Sequence, residues 1–403
     1  MALTSVYGMA GGAGALVVKQ WSRQFFKYGL GKMYFSKFIG LWGKAFDPAM
    51  NDKQDVVLSD PNALVQVKMD LSRTLGDTIT FPILSPLSGN GRVQKATAAQ
   101  GGSGQNTVRT LEGNEEAINA YSWAITLLEW AHSVRTIGKL MERQPAFSVS
   151  DSMTANLGLW WARALDLATY NAMAGISMVD DGGTVQIVTG TAPSRKLVGG
   201  TKAGTTTFRT TDAALDAAEY MSFEMIDEAR RQAMDDSSGP TMRPIVVGGR
   251  EMYYAFLHPK QVRDLRYDAG ASVNITWKEA QMNAAARGAE NPIFRNALGI
   301  YNDVALFEYP RVASRLGDGA GASATNAFES TDVVKNGTTA CRSLFCGAGA
   351  AVHAYGSMPN FVDKTFEYGT QKGRCLQTII AVGRPEFNSI DYGVMAVDTA
   401  AST

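Results

Sequence analysis

The stretch from Pro82 to Glu112, PILSPLSGNGRVQKATAAQGGSGQNTVRTLE, restricts what this chain can fold into more than any other feature. Its middle holds glycines at 89, 91, 101, 102 and 104 and few large apolar side chains. Structureless loops longer than about 12–15 residues are uncommon inside compact domains, and such a segment is either disordered or functional. Folded as a hairpin, about 15 residues each way at about 3.3 Å per residue reach about 50 Å. A compact chain of this size has a radius of gyration of only about 22 Å. If extended, a loop of that reach leaves its own subunit and lies on a neighbour. Gly89, Gly91, Gly101 and Gly102 give it backbone freedom, and Arg92, Lys95 and Arg109 are its candidate contacts.

The second oddity is the start of the chain. No acidic residue occurs from Met1 to Phe46, while Lys19, Arg23, Lys27, Lys32, Lys37 and Lys44 interleave with Trp21, Phe25, Phe26, Phe35, Phe38 and Trp42. We read residues 1–50 as an arm. Three readings compete: nucleic-acid contact with aromatic stacking, a membrane-surface helix, and docking on a neighbouring subunit with lysine and arginine stems packed on apolar surface. Docking is favoured, because this many aromatics exceed what phosphate contact requires. The expected contacts are Trp21, Arg23, Phe25, Phe26, Lys27, Phe35, Phe38 and Trp42. The apolar run from Val6 to Val18 has no basic leader and is not expected to be a signal peptide.

Between and beyond these segments the pattern is mixed. VQVKMDLSRTLGDTITFPI alternates around Gly76-Asp77 and predicts two strands joined by a turn there. Residues 151–175 predict the clearest helix, with Asp151 as N-cap, Gly175 as stop, and Leu157, Trp160, Trp161 and Leu165 on its apolar stripe. Residues 180–210 read as a hairpin excursion, and 211–236 as a second amphipathic helix. Short strands are predicted at 243–249, 252–258, 299–309, 342–355 and 375–382. Taken together the pattern is α+β.

Composition narrows the function. The 403 residues carry 38 basic and 38 acidic groups, so the chain as a whole does not attract nucleic acid electrostatically. Three cysteines without regular spacing argue against a disulfide framework. His132, His258 and His353 stand far apart, and none has a second ligand at metal spacing. GAGAAV at 347–352 follows apolar Leu344 and Phe345, but Val352 stands where a dinucleotide loop needs a small residue. Asp180-Asp181 and Asp235-Asp236 are explained by turns and helix ends. No catalytic, cofactor-binding or metal-ligating set is expected.

Several blocks, taken in order, resemble one family. LGDTITFPILSPLSG (75–89) is similar to the strand that leads into that family's extended loop. LEGNEEAINAY (111–121), with Glu112, Gly113, Asn114 and Glu115, is similar to the signature that closes it. HSVRTIGKLMERQPAF (132–147) and LGLWWARALDLATYNAMAG (157–175) resemble the approach to the family's spine helix and the helix itself. GIYNDVALFEYPRV (299–312) and the closing segment from 367 to 399 complete the order. The chain thus resembles the major capsid proteins of tailed bacteriophages with the Hong Kong-97-type fold, in particular the podovirus N-four-like group.

The resemblance implies an N-terminal arm (1–50) and a peripheral domain (51–210) carrying extended loop 82–112 and spine helix 151–175. It implies an axial domain at 211–298 and 326–360, with returns to the peripheral domain at 299–325 and 361–403. It also implies a virion protein, assembled in the host cytoplasm, whose copies form pentamers and hexamers of an icosahedral shell around double-stranded DNA. Decoration, scaffolding and portal proteins are the implied partners. No encoded scaffold segment is expected ahead of the arm, and no membrane contact. Some relatives carry a lysine–asparagine crosslink; none is expected at Lys95. An encapsulin-like compartment shell and a soluble enzyme with an unrecognised site are the rival readings.

Overall fold

A computed structural model describes residues 33–39, 62–68, 77–84, 120–136, 138, 149–179, 186–188, 193–202, 205–210, 215–235, 241–247, 249–267, 299–309, 333–335 and 338–400. In chain order its elements begin with a 3-10 turn (Phe35–Phe38), then β1 (Val65–Lys68), β2 (Thr78–Leu84), β3 (Ala120–Thr126), β4 (Leu128–Arg135) and α1 (Val149–Ala174). Next come β5 (Met178–Val179), β6 (Gln186–Val188), β7 (Lys196–Lys202), β8 (Thr205–Arg209), α2 (Phe223–Met234), β9 (Ile245–Val247), β10 (Arg250–Leu257) and α3 (Pro259–Tyr267). The last part holds β11 (Gly299–Tyr301), β12 (Val304–Glu308), β13 (Val333–Lys335), β14 (Thr338–Cys346), β15 (Ala351–Phe366), β16 (Gln371–Gly383), β17 (Glu386–Phe387), β18 (Ile390–Asp391) and β19 (Val394–Ala400).

The strands build a four-stranded sheet, β1-β15-β16-β4, and a nine-stranded sheet along β11-β12-β10-β14-β19-β7-β8, with β13 on β14 and β9 on β10. Alternation along β10 divides two cores. Tyr253, Ala255 and Leu257 face α2 and α3, meeting Met225, Ile226, Ala229, Val262 and Leu265. Phe256 faces the other way, towards Tyr170, Met173 and Ala174 at the end of α1. The middle of α1 packs Trp161, Leu165 and Ala168 on Trp130, Tyr355, Leu376 and Ile380 of the four-stranded sheet. One helix therefore ties both sheets together. Every residue from Ala164 to Ala174 is buried, so this stretch is covered on all sides and not along one stripe only.

The end of α1 is where the sequence placed it. Gly175 has φ +70°. Its N–H donates to Ala172 O, and Ile176 N–H donates to Asn171 O. This crossed pair satisfies carbonyls that a helix end otherwise leaves open, and it needs a left-handed residue at the glycine. The start differs: α1 begins at Val149, ahead of the expected cap at Asp151, because an acidic residue suits the first turn as well as the cap.

Two other expectations are corrected. The strands flanking Gly76-Asp77 do not pair with each other. β1 runs parallel to β15, Val65 opposite Ala351, and β2 pairs antiparallel with β3. The second helix starts at Phe223, not 211. Leu215 and Met221 are buried, but on a non-helical approach with a turn at Asp216–Glu219, after which Tyr220 bridges Thr201 and Ala400. The nine-stranded sheet takes β7, β8, β11, β12 and β19 alongside β10 and β14, so it draws on segments read above as belonging to both domains.

Candidate assembly surface

The expected extended loop falls between β2 and β3, which pair as a ribbon. Seven pairs run without a shift from Thr78 opposite Thr126 to Leu84 opposite Ala120. The two strands are joined through residues 85–119, which lie outside the described residues. The ribbon is seated on the four-stranded sheet, where Ile79 is buried with Ala354 and Ala381, and Phe81, Ile125 and Leu127 pack around them. Small residues in the sheet make this possible. A Cβ on Gly383 would lie 2.6 Å from Ile125 Cδ1, and one on Gly356 would lie 2.8 Å from Leu127 Cδ1. Lys68 holds the ribbon from the side, donating from Nζ to Thr80 O at 3.0 Å and lying 4.4 Å over the Phe81 ring. Gly89, Gly91, Arg92, Lys95, Gly101, Gly102, Arg109, Glu112, Gly113, Asn114 and Glu115 lie outside the described residues.

The described part of the arm docks on its own chain. Asp166 of α1 accepts from Tyr34 N at 2.7 Å and from Phe35 N at 3.1 Å, so one buried carboxylate fixes the two amides that open the 3-10 turn. Tyr34 also donates its hydroxyl to Glu308 O. Burial, with Asp166 and Glu308 close by, pushes that hydroxyl well above its ordinary value. Phe35 is fully buried, its ring 5.3 Å from those of Phe256 and Tyr309. Phe38 packs against Tyr254, Phe256 and Phe307. These two aromatics were expected to anchor on a neighbour. Phe35 instead fills a cage in its own subunit, where β10, β12 and α1 leave an aromatic-lined groove that a short turn can plug. Trp21, Arg23, Phe25, Phe26, Lys27 and Trp42 lie outside the described residues.

The spine-helix residues are likewise core residues. Leu157, Trp161 and Leu165 are fully buried, while Trp160 is half-buried and stacks on His132 with ring centroids 4.4 Å apart.

The sequence did not reveal the joint at the end of α1. Arg342 donates from Nη1 to Ala174 O at 2.7 Å, and Arg384 from Nη1 to Met173 O at 3.3 Å. Each arginine is neutralised by a buried aspartate, Asp398 and Asp391 respectively. Asp391 also accepts from Ser194 N and Oγ. Two cations thus meet the negative end of the helix dipole. The only local hints were single charges inside apolar strands, in TACRSLFC and VMAVDT.

Chemistry-bearing groups stay apart. His353 is fully buried on β15, and Thr169 Oγ1 lies 2.8 Å from its Nε2. Thr169 spends its own proton on Leu165 O, so His353 Nε2 carries the hydrogen and the ring is neutral. Desolvation lowers its pKa from 6.5 to about 3. His258 Nδ1 faces Cys341 Sγ at 3.5 Å and accepts from Lys260 N. The amides of the GAGAAV turn are already used: Gly347 donates to Gly393 O, Ala348 to Arg243 O and Gly349 to Ala63 O. No N–H of those three is left to cradle a phosphate. Among the described residues no group of His, Cys, Asp and Glu is placed to hold a metal ion, and no helix is long and apolar enough to cross a membrane.

A long helix spanning two sheets, a ribbon seated on one of them and a plug from residues 33–39 are the frame of a capsid-type shell subunit with the Hong Kong-97-type fold. The chain belongs to the phage capsid protein family, whose profile matches residues 13–403, and is a shell-building capsid protein of a tailed phage. It is 24% identical over 404 residues to the major capsid protein of Pseudomonas phage KPP25, with 94% of each chain covered. The capsid of Ralstonia phage GP4 has a similar fold, with TM-score 0.63 and 22% identity over 89% of this chain and 97% of that one. The capsid of cyanophage Pam1 gives TM-score 0.60 and 21% identity, covering 84% of this chain and 89% of that one.

Proposed function

We propose that copies of this chain form the pentamers and hexamers of a closed icosahedral shell around double-stranded DNA, and that the protein is structural and not an enzyme. The observation that carries this reading is the β2–β3 ribbon, a seven-pair ladder seated on the four-stranded sheet. Each contact between copies is modest, and the number of contacts per subunit makes the closed shell stable. In this reading the four-stranded sheet with the part of α1 packed on it forms the peripheral part, and the nine-stranded sheet with α2 and α3 the axial part. The extended-loop residues named above, with Trp21 and Phe25 of the arm, make the contacts between copies. Scaffolding, portal and decoration proteins are the remaining partners, and assembly takes place in the host cytoplasm.

Electron microscopy of the purified chain tests this. Uniform closed shells or ring-shaped capsomers are expected. A monomer that forms no particles at high concentration would overturn the reading.

A further inference from the structure

The nine-stranded sheet ends in two strands that, among the described residues, have a neighbour on one side only: β8 at one end and β11 at the other. Open edges of this kind pair readily with another chain, and proteins normally blunt them with lysine, proline or a bulge. β11 carries no charge and no proline, the one charge of β8, Arg209, is paired with Glu219 of its own chain, and neither ladder has a register shift. Both expose a large apolar side chain instead, Phe208 at 43% and Ile300 at 41%.

The two edges also match in direction and face. Going from β11 to β12 reverses direction, β12 to β10 keeps it, β10 to β14 and β14 to β19 each reverse it, β19 to β7 keeps it and β7 to β8 reverses it. With four reversals in total, β11 and β8 run the same way. Phe208 sits opposite Gly199, on the face where Thr206 reaches Glu224 of α2. Tyr301 shares that face, since its hydroxyl donates to Asp227 of α2. If the sheet continues from one copy into the next, these two aromatics fall on the same side.

We propose that β8 of one copy pairs in parallel with β11 of the next, with Phe208 beside Tyr301 as the cross-strand aromatic contact. The contact joins two different surfaces and is therefore heterologous, and such contacts close into rings when the rotation permits. It would be the ring-forming contact of the capsomer, and it rests on the reading that copies of this chain build a shell.

The heterologous character gives the test. Phe208→Lys and Ile300→Lys each place a charge on one edge and leave the other intact. Each variant alone is expected to keep the unfolding profile of the parent, to sediment as a monomer and to lose shells by about tenfold or more. Mixed, they are expected to form a dimer and stop there, because the intact β11 of one meets the intact β8 of the other. Shells at parental yield from either variant, or a mixture that stays monomeric, would overturn the proposal. Should either lysine unfold the subunit, the pair Phe208→Cys with Tyr301→Cys decides instead. Oxidised particles should give a ladder of covalent multimers on a non-reducing gel, and monomer alone would overturn the pairing. An unsubstituted chain that forms no particles at all would defeat the shell reading itself, a different result from any of these.

Discussion

Arg342 on β14 and Asp398 on β19 stand directly opposite each other and form a two-pronged ion pair, with Nε–Oδ1 and Nη2–Oδ2 both 2.8 Å. The two side chains are 1% and 0% exposed. The third guanidinium nitrogen reaches the last carbonyl of α1, so the pair joins the nine-stranded sheet to the helix that crosses both sheets. Removing one partner of a buried pair leaves an uncompensated charge and costs about 3–5 kcal/mol, whereas replacing both by apolar side chains of similar volume is often neutral. Asp398→Ala should therefore destabilise the unassembled subunit by about that amount, with Lys196 as a second cation left nearby at 3.7 Å. Arg342→Met with Asp398→Leu should recover most of the loss. Urea unfolding of the three proteins measures it, and a midpoint for Asp398→Ala close to the parent's would show that the joint is solvated.

Asp166 is the counterpart at the other side of α1. Its two oxygens take the amides of Tyr34 and Phe35. Asp166→Ala leaves those donors without their acceptor, at about 1–3 kcal/mol for a buried group. Phe35→Ala empties an aromatic cage and should cost about 3–5 kcal/mol. The expected signature is faster proteolytic cutting between residues 33 and 39 in both variants, at protease levels that leave the parent intact. Equal cutting rates in parent and variants would remove the latch from the account.

The features legible in the sequence were those set by local rules. α1 and its stop at Gly175 follow from helical spacing and from a glycine in the left-handed region. The strand entering the extended loop was legible because alternation over Thr78–Leu84 has period two. What the sequence hid depends on residues far apart in it. Gly76-Asp77 looks like a hairpin turn, but β1 finds its partner at Ala351–Ala354. The Arg342–Asp398 pair has the same cause. Phe35 was read as an anchor on another subunit because its own cage, Phe256 with Tyr309, is assembled from β10 and the end of β12. The start of α2 was missed because Leu215 and Met221 keep helical spacing while lying on a non-helical segment.

Gly383 tests whether the seating of the ribbon directs the extended loop. A valine there collides with Ile125 and Trp123, whose atoms already lie 2.6–3.0 Å from the position of its Cβ. Overpacking of this sort costs about 1–3 kcal/mol, which a subunit of this size should survive. The ribbon must shift, and the loop it carries should shift with it. Gly383→Val is expected to give folded subunits whose shells are absent or malformed in electron micrographs. Gly383→Ala should show the same defect more weakly. Normal shells from the valine variant would mean that the loop's direction is set elsewhere.

His353 makes stability depend on acidity in a defined window. The ring is neutral in the folded chain, and its pKa is lowered from 6.5 to about 3 by desolvation. Between those two values the unfolded chain holds a proton that the folded chain does not. Stability therefore rises with pH across the window and is lost as the pH falls from about 6.5 towards about 3. The slope from this one group is at most about 1.4 kcal/mol per pH unit. His353→Leu removes the titration, although it leaves Thr169 Oγ1 without the donor it now accepts from, so the variant should start less stable at pH 7. The informative comparison is the slope and not the starting point. Urea midpoints between pH 4 and pH 6.5 should fall more steeply for the parent than for His353→Leu, and parallel slopes would show that His353 reaches water before the chain unfolds.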